Sequence, residues 1–399
     1  MLPKTPAESR IELIAPKLPE GPVVIGLLLP LSGSDAELGS ELLAAAELAL
    51  FDIDNVDLVI VPRDTSGTPE GAAGAASDAI AEGAQLLLGP WFGESATAVA
   101  PLARAAGVNV VSFSSDRTVA GHGVFVMGFL PAEQVHRVVT FANSKAILRF
   151  AAIAPDNRYG NVMINALNDV SSAIGVDVAR IALYPPTVKG SSDVADVVSN
   201  FADFELRKQA LEDQRRILEE SGDEFALAAL RRLENRETLG DVDYDAVLIA
   251  DSGARLRAVA PLLPFYDVDP AKVRVLGPMH WDAPDITSEP SLVGAWFAAP
   301  PRDVRNQFLT RFESIYGHRP RRLATLAYDG LALAGALASL PDGPDFSVQA
   351  LIAESGFRGV DGLFRFHEDG TIERGLAVYQ ITTKEPKLVS PAPKTFSLF

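Results

Sequence analysis

An α/β fold in two lobes is what this sequence predicts, and three observations predict it. Continuous apolar runs of strand length alternate with alanine-rich helical patterns through roughly the first 130 residues. The loops after those runs share one chemistry of Pro, Gly, Ser and aromatic residues. A second series of the same kind begins near Ala132. A chain of 399 residues is long enough for two such units, on the scale of roughly 100–200 residues each.

The first series reads with little ambiguity. Val23 to Leu29 is apolar throughout and ends at Pro30, as a strand buried on both faces of a parallel sheet would. Gly39 to Phe51 has helical apolar spacing. Val56 to Pro62 (strand), Pro69 to Glu82 (helix), Gln85 to Leu88 (strand), Ser95 to Ala106 (helix) and Val108 to Phe113 (strand) follow. This cadence predicts a doubly wound sheet with right-handed crossovers. The post-strand loops are Pro30 to Ser34, Asp64 to Gly67, Gly89 to Ser95 and Ser112 to Asp116. In open α/β sheets, ligands bind outside the carboxyl ends of the strands, so small hydroxyls beside aromatics at equivalent ends suit a binding cleft.

In the second series Ala146 to Ala154, Val176 to Tyr184, Tyr244 to Ala250, Val273 to Leu276 and Ala295 to Ala298 read as strands, with a helix opening at Tyr159-Gly160-Asn161. Residues 200–240 interrupt it with dense charge and a sparse apolar stripe, broken at Ser221-Gly222-Asp223. That pattern predicts an inserted helical hairpin whose second helix Asp223 or Ser221 caps. It serves either as a solvated elaboration or as a partner-docking arm. Asn306 to Tyr316 and Leu323 to Leu340 are helical; Gly362 to Phe366 and Ala377 to Ile381 read as hairpin strands around Glu368-Asp369-Gly370. Residues 1–21 are polar and proline-dotted, a tether, and 386–399 form a proline-bearing tail.

Composition excludes several functions. A net charge of -17 works against nucleic acid and against a bare anionic membrane surface. With no cysteine, disulfides, thiolate metal sites and cysteine nucleophiles are excluded. No apolar run reaches the roughly 18 residues needed to span a bilayer. There is no Gly-x-Gly-x-x-Gly, no phosphate loop and no nucleophile elbow at Ser95. The five histidines lack ligand spacing. The residual enzymatic option is a carboxylate pair meeting across the cleft, such as Asp116 with Asp251. The expectation is a non-enzyme with no catalytic residue, metal or cofactor.

Val24-Ile25-Gly26-Leu27-Leu28-Leu29-Pro30-Leu31-Ser32-Gly33, then Leu88-Gly89-Pro90, Asp156 through Tyr159-Gly160, Leu276-Gly277-Pro278 and Leu326-Ala327-Tyr328-Asp329-Gly330, follow one another in a familiar order. The ordered set resembles the type I periplasmic binding proteins of the leucine/isoleucine/valine-binding group, over about residues 22 to 385. The resemblance implies two Rossmann-like lobes joined by three crossovers, near Met127 to Pro131, Ala299 to Pro301 and Val360 to Leu363, with closure burying a small solute for an ABC transporter permease or for sensing. Lobe 1 is then 22–129 with 301–361, and lobe 2 is 130–300 with 362–385.

Amino-acid binders of that group hold the ligand carboxylate with hydroxyls after the third and fourth strands, and the ammonium with an acidic residue after the second lobe's Gly-Pro. The matching positions here are Gly93, Asp116 and Met279, which disfavours a free α-amino acid, although Ser95, Ser114, Ser115 or Asp282 stand close enough to substitute. The cleft floor is expected at Ser32, Trp91, Ser95, Ser114, Ser115 and Tyr159, closed over by Ser252 and Trp281, with Trp91 either stacking on a ligand or plugging the cleft. A sub-branch fits some motifs more closely. Asp64-Thr65 and Gly359-Val360-Asp361-Gly362-Leu363-Phe364-Arg365-Phe366 look like the lipoprotein activators of penicillin-binding proteins. That similarity implies a regulator of peptidoglycan synthesis acting through contacts with a synthase, held in the periplasm by a lipid anchor at the tether.

Overall fold

The computed structural model describes residues 21–53, 57–286 and 289–396. The predicted tether therefore lies almost entirely outside the described residues, as does Val56.

The chain begins with β1 (Val23–Leu29), α1 (Ala36–Asp52), β2 (Leu58–Asp64), α2 (Pro69–Ala81), β3 (Leu86–Leu88), α3 (Gly93–Ala106), β4 (Asn109–Ser112) and β5 (Val124–Val126). The five strands form a parallel sheet in the order β2-β1-β3-β4-β5. Ile25, Leu27, Leu28 and Leu29 are fully buried, as a strand covered on both faces requires. The short β5 has no counterpart in the sequence reading.

Beyond the first crossover come α4 (Pro131–Asn143), β6 (Arg149–Pro155), α5 (Arg158–Ile174), β7 (Asp177–Tyr184), α6 (Ala195–Phe201), α7 (Phe204–Ser221), α8 (Glu224–Leu233), β8 (Ala246–Ile249), α9 (Gly253–Val259), α10 (Leu262–Phe265), β9 (Arg274–Gly277) and β10 (Trp296–Ala299). The strands β7-β6-β8-β9-β10 are parallel and repeat the order of the first sheet. Each lobe thus has its own switch point, where the strand order reverses and carboxyl-end loops diverge to leave a crevice. The insertion is the α7–α8 pair: the Asp223 side chain accepts from Ala226 N at 2.8 Å to cap α8, and Arg207 pins the base through the carbonyls of Ala202, Gly240 and Asp267.

The chain then returns to the first lobe with α11 (Arg302–Tyr316) and α12 (Thr325–Ala338). The Tyr316 hydroxyl donates to the Ala44 carbonyl on α1 at 3.0 Å. After α13 (Val348–Leu351), β11 (Phe357–Gly359), β12 (Gly362–Phe366) and β13 (Ile372–Arg374) make a small antiparallel sheet; β14 (Ala377–Gln380) and β15 (Lys387–Ser390) complete the second lobe's sheet.

Three expectations change here. The turn at 368–370 joins β12 to β13 rather than to the strand at 377–381, which instead runs antiparallel to β10, Trp296 facing Gln380. Gly375 separates two strands too short to show alternation. Residues 362–374 belong with lobe 1, not lobe 2: Val126 N donates to the Gly370 carbonyl at 2.8 Å, and Phe366 packs on Phe125 with ring centroids 5.3 Å apart. The third crossover accordingly falls at Gly375-Leu376. Nor is 386–399 merely a tail, because Lys387 to Ser390 pair with β14 as an edge strand.

The crossovers are fastened by buried charge. Asp361, on the turn between β11 and β12, is fully buried and accepts two hydrogen bonds from Arg322, at 3.1 and 2.7 Å. Asp329 of α12 accepts from Val360 N at 2.7 Å and Asp361 N at 3.3 Å. The Arg374 guanidinium donates to the Met127 carbonyl of the first crossover at 2.7 Å. The Phe129 ring lies under both Arg322 and Arg374, at 4.9 and 4.5 Å.

Candidate functional site

The carboxyl ends of the two sheets face one cleft. On the lobe 1 side its wall is the start of α3 (Phe92, Gly93, Glu94, Ser95) and the loop after β4 (Ser114 to Thr118); on the other it is Leu130 to Ala132 and the start of α5 (Arg158, Tyr159, Val162). The volume of this open cleft is about 740 Å³. A narrower recess of about 340 Å³ continues inward between Trp91, Phe113, Phe129, Gln134, Met279 and His280.

Local sequence explains each placement. Asn157 caps α5 by accepting from Gly160 N at 2.9 Å, which sets Arg158 and Tyr159 in the first turn, facing the other lobe. Ser114 Oγ accepts from Asp116 N at 3.0 Å, folding the post-β4 loop back on itself. Gly93 makes room for that loop, since a β-carbon there would stand 3.1 Å from both Cβ and Oδ2 of Asp116.

The polar groups fall into committed and uncommitted sets. Asp116 Oδ1 accepts from the Thr118 backbone at 3.0 Å and the Thr118 hydroxyl at 2.7 Å, while Oδ2 accepts from Arg158 at 2.6 Å across the cleft. Burial works to raise this carboxyl; the hydrogen bonds from Thr118 and Arg158, with the Arg158 charge, overcome it and hold it below the ordinary carboxylate value. Asp251 is buried and engaged by Arg255 (2.6 and 2.9 Å), the Tyr184 hydroxyl (2.5 Å) and Ser252 N (2.7 Å). The two carboxylates that an acid–base pair would need are each tied to their own arginine. Burial holds His280 below its usual pKa, hence neutral, with its ring edge-on to Tyr159 at 6.1 Å. Ser95, only 1% exposed in the first turn of α3, has a hydroxyl without any hydrogen-bond partner. The first-turn N–H groups of α3 likewise have no partner within the helix.

Of the residues singled out from sequence, Gly93, Ser95, Ser114, Ser115, Asp116 and Tyr159 line the main cavity, and Trp91 and Met279 line the recess. Ser32, Ser252 and Trp281 line neither. Ser32 is exposed, and its backbone N and hydroxyl go to Asp64 and Ser66 in a turn joining the ends of β1 and β2. Ser252 occupies the cap position of α9, with its N–H on Asp251. Trp281 is fully buried, its Nε1 donating to the Asp251 carbonyl at 2.8 Å, so it belongs to the core of lobe 2. Its indole sits so close over Gly277 that a β-carbon there would lie 2.2 Å from it. Gly277→Ala is expected to destabilise the protein by roughly 1–3 kcal/mol through overpacking, measurable by thermal unfolding. Asp282 is also withdrawn from the cleft, buried between Arg302 and Arg305.

Sequence reasoning missed Arg158, Thr118, Val162 and Gln134. Gln134 Oε1 accepts from Met279 N at 2.9 Å and so joins α4 to the Gly-Pro loop. Arg158 was within reach, lying inside the segment Asp156 to Gly160, but nothing local says that its partner is Asp116. Among the described residues no cluster of His, Asp and Glu could hold a metal ion, and no helix is long and apolar enough to cross a membrane.

Residues 22–386 match a family model described as periplasmic binding protein. Among solved structures, a putative branched-chain amino acid ABC transporter protein from Rhodospirillum rubrum is 18% identical with a TM-score of 0.71, covering 92% of this chain and 100% of its own. A leucine-, isoleucine-, valine-, threonine- and alanine-binding protein from Brucella ovis, in its closed conformation, is 17% identical with a TM-score of 0.64, covering 95% and 96%. A solute-binding protein of Rhodopseudomonas palustris in complex with 3,4-dihydroxybenzoic acid is 16% identical with a TM-score of 0.59, covering 94% and 97%. These likenesses carry the fold. A curated relative, an uncharacterized protein of Rickettsia prowazekii, is 21% identical over 194 residues; the match spans 48% of this chain and 52% of that relative.

Proposed function

Because this chain belongs to the periplasmic binding protein family, we propose that it captures a small solute in the cleft, in the periplasm, for a membrane ABC transporter or for sensing. The solute has an apolar, preferably aromatic body and a carboxylate or hydroxyl acceptor, and it lacks an ammonium group. One observation carries this reading: the first turn of α3, Gly93 to Ser95, lines the cavity with N–H groups that have no partner within the helix, and the Ser95 hydroxyl in that turn is buried and unpartnered. The lining around it is mostly apolar, with Phe92 on the same wall and Leu130, Tyr159 and Val162 opposite, and the recess adds Trp91, Phe113 and Phe129. In the recess an ammonium would find Met279 in place of an acid, with Asp116 and Asp251 already committed and Glu94 on the exposed side of the cleft. The aromatic acid held by the Rhodopseudomonas palustris protein has the chemistry described.

The test is titration calorimetry and thermal shift with benzoate, 4-hydroxybenzoate, 3,4-dihydroxybenzoate and L-leucine. The aromatic acids are expected to raise the melting temperature and leucine to leave it unchanged. Ser95→Ala should weaken binding about ten- to a hundredfold, the worth of a hydrogen bond to a charged group. Leucine binding without the acids would overturn the solute class. Native mass spectrometry of freshly purified protein that shows an empty cleft, with no response to any solute, would overturn solute capture itself.

A second reading, an anchored regulator of peptidoglycan synthesis acting through protein contacts, draws support from the α7–α8 hairpin. There Leu206, Ile217, Phe225 and Leu227 are exposed, Phe225 by 90%. On that reading, deleting residues 204–233 abolishes binding to a peptidoglycan synthase and leaves solute-induced stabilisation intact.

A further inference from the structure

The pair Asp116–Arg158 has a geometry that solute binding does not require. Asp116 sits on the loop after β4 of lobe 1, and Arg158 opens α5 of lobe 2. Their 2.6 Å contact spans the cavity that both residues line. We infer that this ion pair is a latch that draws the two lobes together and so favours solute binding.

Three features support a latch over a fixed strut. The aspartate is held ready by Thr118 through Oδ1 and by Ser114 through its own N–H, leaving Oδ2 for the other lobe. The arginine side chain is 73% exposed, so water can replace its contact when the lobes part. The buried ion pairs at the crossovers differ in this respect. Asp361 and Asp282 have 0% and 3% of their side chains exposed, and breaking such pairs would strand a buried charge without its partner. Gly93 also has no β-carbon to displace Asp116 from the cleft wall.

An exposed ion pair biases an equilibrium modestly, by about two- to fivefold in the closed-to-open ratio, and salt screens it. Apparent solute affinity then scales with the closed fraction, whatever the solute is.

The experiment needs no solute. With no native cysteine, spin labels attached at Ser40→Cys in lobe 1 and Asp169→Cys in lobe 2 report lobe separation by pulsed dipolar spectroscopy. Asp116→Asn keeps an oxygen for Thr118 and removes the charge; Arg158→Gln removes the partner from an exposed site. Each is expected to lower the closed fraction about two- to fivefold, with the double variant no worse than either single one. Added salt should open the wild type and leave the variants unmoved. Melting temperatures of the variants show whether each is folded, and Arg158→Gln, at an exposed position, carries the test if Asp116→Asn is not. A closed fraction unchanged in the folded single variants, or effects that simply add in the double variant, overturns the latch. Either result leaves solute capture standing, because that is read separately from the thermal shift with aromatic acids.

Discussion

Replacing Asp361 with alanine is expected to cost about 3–5 kcal/mol of folding stability, because it strands two arginines beside the crossovers. Asp361 is fully buried and binds Arg322 through both carboxylate oxygens. Arg374, only 6% exposed, has Nε and Nη1 without hydrogen-bond partners and depends on the neighbouring negative charge. Burial alone would raise the Asp361 carboxyl, but the charge and hydrogen bonds of Arg322 and the charge of Arg374 keep it ionised. Asp329 bears the other half of the arrangement: burial and the adjacent Asp361 charge raise its pKa, so it holds its proton more readily than Asp361 does. The alanine variant removes the anion that both guanidiniums share and leaves Asp329 as the remaining acid beside Arg374. Asp361→Asn keeps the shape without the charge and should lose less. Urea denaturation of both variants measures this, and a loss below about 1 kcal/mol in the alanine variant would mean that water reaches the cluster and replaces the carboxylate.

The same cluster shows what the sequence could and could not convey. Strands such as Val23 to Leu29 were legible because burial on both faces demands uninterrupted apolar residues, a purely local signature. The loops at 89–95 and 112–116 were legible as cleft walls because strand ends converge at a switch point in any such sheet. What failed depended on distant partners. Trp281 read as a lid because an aromatic after a Gly-Pro loop looks the same whether it faces solvent or a glycine such as Gly277 beneath it. Ser32 read as cleft floor, but Asp64, more than thirty residues on, claims its backbone and Ser66 takes its hydroxyl. Arg158 went unnoticed because its role exists only when the second lobe meets Asp116. The β12–β13 pairing escaped because a three-residue strand is too short to display period-two alternation.

Glu133 supplies the second large effect, one that appears only as pH changes. It lies in the first turn of α4 and lines a cavity of about 390 Å³ behind the hinge, together with His136, Arg137, Glu373 and Arg374. Burial and the facing Glu373 charge raise its carboxyl from about 4.5 to about 7, against a smaller opposing pull from Arg117. Such a group holds its proton in the folded state at pH values where the unfolded chain has already released it. The folded state therefore binds more protons between roughly pH 4.5 and 7, and stability falls as pH rises through that window and levels off above it. The full difference is worth about 3 kcal/mol, and the N-terminal end of α4 offsets about 0.3–1 kcal/mol of it by favouring the ionised form. Glu133→Gln preserves the shape and cannot ionise. It is expected to match the wild type at pH 4 and to be about 2–3 kcal/mol more stable at pH 8. Because Asp329 titrates in the same direction and is present in both proteins, the readout is the difference between two urea-denaturation curves across pH, not either curve alone. A flat difference would mean that Glu133 ionises in the folded protein as freely as in the unfolded chain, and that the cavity behind the hinge admits enough water to solvate it.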